Sequence, residues 1–175
     1  SVVNDAITEV ILPDEKQKAL YQTNANIAKN TTISANLSVP VKVSKWWTMN
    51  NNLNVFHLAF ETPNLEGQAL KTGQTSYQFR MQNNFIIMDG LTAEINANYE
   101  SPLTYGTLAI EQKAFMDIGI SKAILNKKGS IRFAVSDVFD TNRTRLSSAY
   151  PGLSYNLYQK NETQLFRVNF SYRFG

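Results

Sequence analysis

Apolar and polar residues in this chain alternate with a period of two over unusually long stretches, and few folds can use that pattern. A helix would bring its apolar residues back every three or four positions. Here Phe166, Val168, Phe170, Tyr172 and Phe174 share one parity, and Arg167, Asn169, Ser171 and Arg173 take the other. Ile131, Phe133 and Val135 likewise alternate with Arg132, Ala134 and Ser136, and Met116, Ile118 and Ile120 with Asp117, Gly119 and Ser121. Leu91, Ala93, Ile95, Ala97 and Tyr99 oppose Thr92, Glu94, Asn96 and Asn98. Tyr77, Phe79, Met81, Phe85 and Ile87 oppose Ser76, Gln78, Arg80, Gln82 and Asn84, and Ile33, Ala35, Leu37, Val39 and Val41 oppose Ser34, Asn36 and Ser38. These six stretches read as strands with one polar face. A seventh, 48–60, changes parity between Val55 and Phe56, which predicts a β-bulge near His57.

The connections alternate in length. Short turns are expected at 42–47, 89–90 and 126–129, where Asp-Gly and Lys-Lys-Gly supply turn chemistry. Longer links fall at 61–73, 101–106 and 137–163. A meander with short turns at one end and long loops at the other is the layout of a transmembrane β-barrel. A soluble β-sandwich or a lipocalin-like binding module would also alternate, with its apolar face turned inward. Strand length favours the barrel, because 77–88 and 166–174 reach the roughly 9–11 residues needed to cross a bilayer. So does charge: Arg80, Glu94, Asp117, Arg132, Arg167 and Arg173 all take the polar parity, and Lys122, the exception, lies at a strand end where it can snorkel. Trp46, Trp47 and Phe174 at one end of the strands, and Tyr99 and Tyr105 at the other, suit the two aromatic belts of a membrane barrel.

Composition narrows function. The 175 residues contain no Cys and one His, carry a net charge of +3, and scatter their Lys and Arg. Thiol chemistry, Cys-bound metal and multi-His centres are excluded, no metal or cofactor is expected, and nothing argues for nucleic acid. No apolar run is long enough for a membrane-spanning helix, and SVVNDAITEV lacks the pattern of a signal peptide. Nucleotide, zinc-protease and hydrolase motifs are missing, so an enzyme is not expected. Asp137 and Asp140 read as turn caps.

With the last strand ending on the short-turn, periplasmic side, residues 31–41, 48–60, 75–88, 91–101, 106–125, 130–138 and 163–174 run alternately down and up. Residues 1–29 are then expected as a hairpin extension above the membrane, turning at Pro13-Asp14-Glu15, and 30–175 as about seven membrane-length strands. A chain entering at the outer face is expected to be the C-terminal part of a larger barrel. The alternative is a small complete barrel acting as an adhesin or anchor.

Local motifs carry a resemblance. VSDVFDTNRTRL (135–146) resembles the penultimate-strand motif of TonB-dependent outer-membrane receptors and the related outer-membrane β-barrel family. FMDIGISKAIL (115–125) is similar to the strand before it, FRVNFSYRFG (166–175) to the terminal strand, and SVPVKVSKWWTMNNNLN (38–54) to a Tyr-Pro-x-x-Lys-Trp-Trp turn with Val39 in place of the aromatic. The resemblance implies an all-β, antiparallel up-and-down barrel of about 22 strands in the bacterial outer membrane. It further implies import of a nutrient ligand, energised by TonB through a plug domain that these residues do not supply.

Three groups of residues are candidates for function. Phe170, Tyr172 and Phe174 look like the C-terminal signal read by the barrel-assembly machinery, which would pair with the strand edge; their plainer role is contact with outer-membrane lipid. Arg143, Arg145, Tyr150, Tyr155 and Tyr158 crowd the longest loop, where charge-assisted bonds and stacking would hold an anionic or sugar ligand. The plainer reading there is a folded outer loop facing lipopolysaccharide or capping the wall. Arg80, Glu94, Arg132, Arg167 and Arg173 are expected to face the lumen.

Overall fold

The computed structural model describes all residues except 15–18, 66–67, 149–153 and 175. In chain order its strands are β1 (Val2–Asp14), β2 (Ala19–Lys42), β3 (Trp47–Leu65), β4 (Gln68–Met88), β5 (Leu91–Glu100), β6 (Leu103–Tyr105), β7 (Leu108–Ile110), β8 (Lys113–Ile124), β9 (Gly129–Ser136), β10 (Thr144–Ser148), β11 (Asn156–Gln159) and β12 (Leu165–Tyr172). Eight form an antiparallel sheet in the order β1-β2-β3-β4-β5-β8-β9-β12. The sheet is open: β1 and β12 are its edges and do not pair with each other. The expected hairpin over 1–29 is present as β1 paired with the start of β2, although part of its turn lies outside the described residues.

Pairing brings residues of like parity into rows. Val41, Met49, Asn83, Ile95, Ile118, Val135 and Phe166 follow one another across seven strands. Next to that row, on the opposite face, run Lys42, Thr48, Asn84, Glu94, Gly119, Ala134 and Arg167. The oily rows are open to the outside: Ile118 is 39%, Phe133 54%, Phe170 63% and Val168 66% exposed. A soluble sandwich would bury them, so that alternative fails. Aromatic rings bound this belt. Trp46, Trp47 and Phe85 stack at 5.7–6.3 Å beside one short turn, and Tyr77 meets Tyr99 at 5.5 Å toward the other end.

Three expectations are corrected. No bulge occurs near His57: β3 pairs with β2 and β4 in unbroken register through that point, and its shift lies between Thr62 and Leu65. Phe56, Leu58 and Phe60 share a face with Ser76, Gln74 and Thr72, the polar face of the belt region. The code inverts because the surroundings do. Beside lipid, apolar residues point out; above it, where Glu61 and Lys71 form an exposed ion pair on the outer face, they point in. The three apolar residues buried most deeply among those described, Phe60, Leu65 and Leu70, belong to this upper region.

The second correction concerns the links. Residues 61–73 are largely paired strand, and 106–125 divides into β7 and β8. β6, β10 and β11, from segments expected as loops, join β7, from a segment expected as membrane strand, in a second sheet, β11-β10-β7-β6. The third concerns the last short turn. Its left-handed residues are Leu125, Asn126 and Lys127 rather than Gly129. Gly129 serves close approach instead: a Cβ there would lie 3.2 Å from the Ser171 carbonyl oxygen and 3.3 Å from the Ile124 and Leu125 side chains.

Candidate functional site

The polar face is rich in amides. Ser38, Asn52, Arg80 and Asn98 form one row, and Asn36, Asn54, Gln78 and Glu100 another. Together they line a recess of about 400 Å³. Arg80 Nε donates to Asn98 Oδ1 at 3.0 Å, and Lys113 pairs with Glu100 at 3.3 Å. Farther down, Glu94 crosses Gly119 to meet Arg132. A Cβ on Gly119 would lie 2.8–2.9 Å from Glu94 atoms, so glycine leaves room for that crossing. Arg167 donates to Ser136 Oγ at 3.4 Å. Arg80, Glu94, Arg132 and Arg167 therefore share the face opposite the belt, and Arg173 follows on the same parity just past β12.

The second sheet leans onto this same face above the belt. Ser76 Oγ and Gln74 Nε2 donate to the Pro102 carbonyl at 2.7 and 3.1 Å, and Thr104 Oγ1 donates to Gln74 Oε1 at 2.7 Å. Gly106, at φ 58°, brings the β6–β7 turn against the Phe60 ring, where a Cβ would meet Cε2 at 3.2 Å. The outer sheet thus overhangs the wall's polar side.

Asp137 ties the longest connection down. It is almost fully buried, with φ 46°, and its own amide donates to Asp117 Oδ1 at 2.8 Å. Its carboxylate accepts from the Thr141 and Asn142 amides at 2.9 and 3.0 Å and from Thr163 Oγ1 at 2.6 Å. Burial pushes its pKa up, but the Thr163 hydroxyl and the two amides outweigh that and hold it below the usual carboxylate value. The aspartate of the Ser-Asp motif is a cap, as its turn position suggested; its bond to the far end of the connection was not foreseeable from spacing.

Of the five loop candidates, two come together. Arg145 lies over the Tyr158 ring, 5.9 Å from its centroid, and pairs with Glu111 at 3.4 Å. Arg143 turns to Asp140, at 3.5 Å, which Lys160 also meets. Arg143 and Arg145, with Gln112 and Thr141, line a recess of about 200 Å³. Tyr155 is half-buried, its phenol pushed up by burial and without a hydrogen-bond partner among the described residues. Tyr150 lies outside the described residues. Phe170, Tyr172 and Phe174 are exposed along the β12 edge, with the last two rings edge-to-face at 4.8 Å.

Long antiparallel strands, an exposed oily belt between aromatic bands and an amide-lined inner wall define a transmembrane β-barrel protein. A family model described as the outer membrane protein beta-barrel family matches residues 1–172, and the chain belongs to that family, of the bacterial outer membrane. No curated protein and no solved structure matches the chain.

Proposed function

We propose that this chain forms wall and outer loops of a TonB-energised receptor that imports a nutrient ligand, with no catalytic role. The observation carrying this reading is the outer sheet seated on Gln74 and Ser76 of the inner wall. In this reading the Arg145–Tyr158 pair stands at the mouth end of the wall, where a polar or anionic ligand would arrive. The open edges fit a larger wall. Among the described residues, 33–42 of β2 pair only with β3, and β12 only with β9. Lipid tolerates no open edge, so in this reading further strands cover both. A plug domain would carry TonB coupling, and β12, with Phe170, Tyr172 and Phe174, would engage the assembly machinery.

The test is growth of a strain lacking the full-length protein on a panel of scarce nutrients: chelated iron, oligosaccharides and peptides. One source should fail to support growth, TonB removal should reproduce that failure, and Arg145→Ala with Tyr158→Ala should weaken uptake. Uptake indifferent to TonB would overturn the energised-receptor reading.

A further inference from the structure

Toward the short turns the inner wall becomes basic. Lys42, Thr48, Asn84, Glu94 and Arg167 share one polar-face row, and Thr92, Ser121 and Arg132 share the next. With Lys45 of the adjoining turn, these rows set Lys42, Lys45, Arg132 and Arg167 against one carboxylate, Glu94. Arg132 holds that carboxylate. Asp117, one row higher, accepts from the Asp137 amide. Lys45 therefore keeps an unanswered charge among the described residues.

One recess of about 390 Å³ gathers these groups. Lys45, Thr48, Asn84, Thr92, Ser121 and Arg132 line it, together with the apolar Trp46 and Ile86. The Thr48, Asn84, Thr92 and Ser121 side chains make no hydrogen bond among the described residues, so their donors are free for a guest. The ammonium of Lys45 is a point charge, and the guanidinium fork of Arg132 has donors beyond the one that Glu94 takes. Excess positive charge in a concave, partly apolar site concentrates anions. The volume falls in the range of small-molecule sites, about 300–1,000 Å³. We propose that this recess binds the carboxylate or phosphate group of a small organic anion, with Lys45 and Arg132 as charge partners and Thr92 and Ser121 as hydroxyl donors. Short turns lie on the periplasmic side of such barrels, so the site stands at the exit end of the lumen. It rests on the transport reading above for the ligand's arrival, and narrows the cargo to an anion.

Calorimetric titration of the full-length protein in detergent tests this, with phenyl phosphate and benzoate as probes and benzyl alcohol as their uncharged counterpart. A charge-assisted hydrogen bond is worth roughly tenfold or more in affinity. Both anions should therefore bind at least about tenfold more tightly than the alcohol, and Lys45→Gln with Thr92→Val should weaken them by at least about tenfold. Heat-shifted gel migration should be kept, and Lys128→Gln, outside the recess, should bind like the wild type. Equal affinity for anion and alcohol, or undiminished binding by the double variant, would overturn the proposal. So would binding of polyglutamate without either small anion, which would assign the recess to an acidic polypeptide. If the double variant does not insert, salt on the wild type decides: binding should weaken as ionic strength rises, and a salt-insensitive affinity counts against the site. Binding needs no TonB. Absent anion binding with growth still TonB-dependent would sink this site alone, whereas intact binding with growth indifferent to TonB would sink only the energised-receptor reading.

Discussion

Asn83 shows how a single polar side chain is kept in a lipid-facing row. It stands between Met49 and Ile95 at 5% exposure, accepts from the Trp47 indole at 3.0 Å, and donates to the Ile95 carbonyl at 3.5 Å. An unbonded amide in hydrocarbon is costly. Trp47→Phe should therefore destabilise by about 1–3 kcal/mol, and adding Asn83→Leu should restore most of the loss, because removing both partners leaves nothing unsatisfied. Urea unfolding in lipid vesicles checks this; strictly additive losses would show that the indole does not serve the amide. Periodicity alone passes over position 83, since alternation identifies a face and not the partner across it. Asp137 gives a second residue-level prediction. Its pKa is lowered on folding from 3.8, so its stabilising effect is present in full above the ordinary value and is lost as the pH falls through the lowered one. Proteolysis of the 137–163 connection should rise as the pH falls below the ordinary carboxylate value of 3.8 and through the lowered one. Asp137→Ala should make that connection labile at neutral pH and remove this acid-dependent step.

At the scale of elements, β3 explains what the sequence could not show. Its parity change at Val55–Phe56 was visible, but a bulge and a change of surroundings leave the same trace in one strand. Only pairing separates them, because unbroken register with β2 and β4 forces Phe56, Leu58 and Phe60 inward. The outer sheet was hidden for another reason: β6, β7, β10 and β11 are 3–5 residues long, too short for alternation to register. Their attachment depends on Gly106, where left-handed backbone and contact with Phe60 coincide. Gly106→Val should release the β6–β7 hairpin while sparing the eight-stranded sheet. Protease cleavage within 101–112 should appear without loss of heat-shifted migration; a variant that resists cleavage like the wild type would show that the hairpin is held by its polar bonds alone.

For the whole molecule, the belt was the most legible feature because many residues vote for it, and Asn51 and Asn83 among them do not change the sum. Its consequence is a dependence on both face and depth. Met81 lies midway between the Tyr77–Tyr99 and Trp47–Phe85 levels on the outer face, Gln82 beside it points to the amide wall, and Met88 sits at the rim. An arginine facing lipid costs about 2–4 kcal/mol at the midplane and about 0–1 kcal/mol near the interface. Met81→Arg should thus carry the full penalty and Met88→Arg little of it. Gln82→Arg should stay within about 0.5 kcal/mol, since a solvated lumen accepts the charge. Unfolding of the full-length protein in vesicles ranks the three. Equal costs for Met81→Arg and Gln82→Arg would mean that both faces see the same medium, which no membrane wall permits. A larger cost at Met88 than at Met81 would place the hydrocarbon centre at the short turns, and with it the aromatic bands would lose their meaning as boundaries.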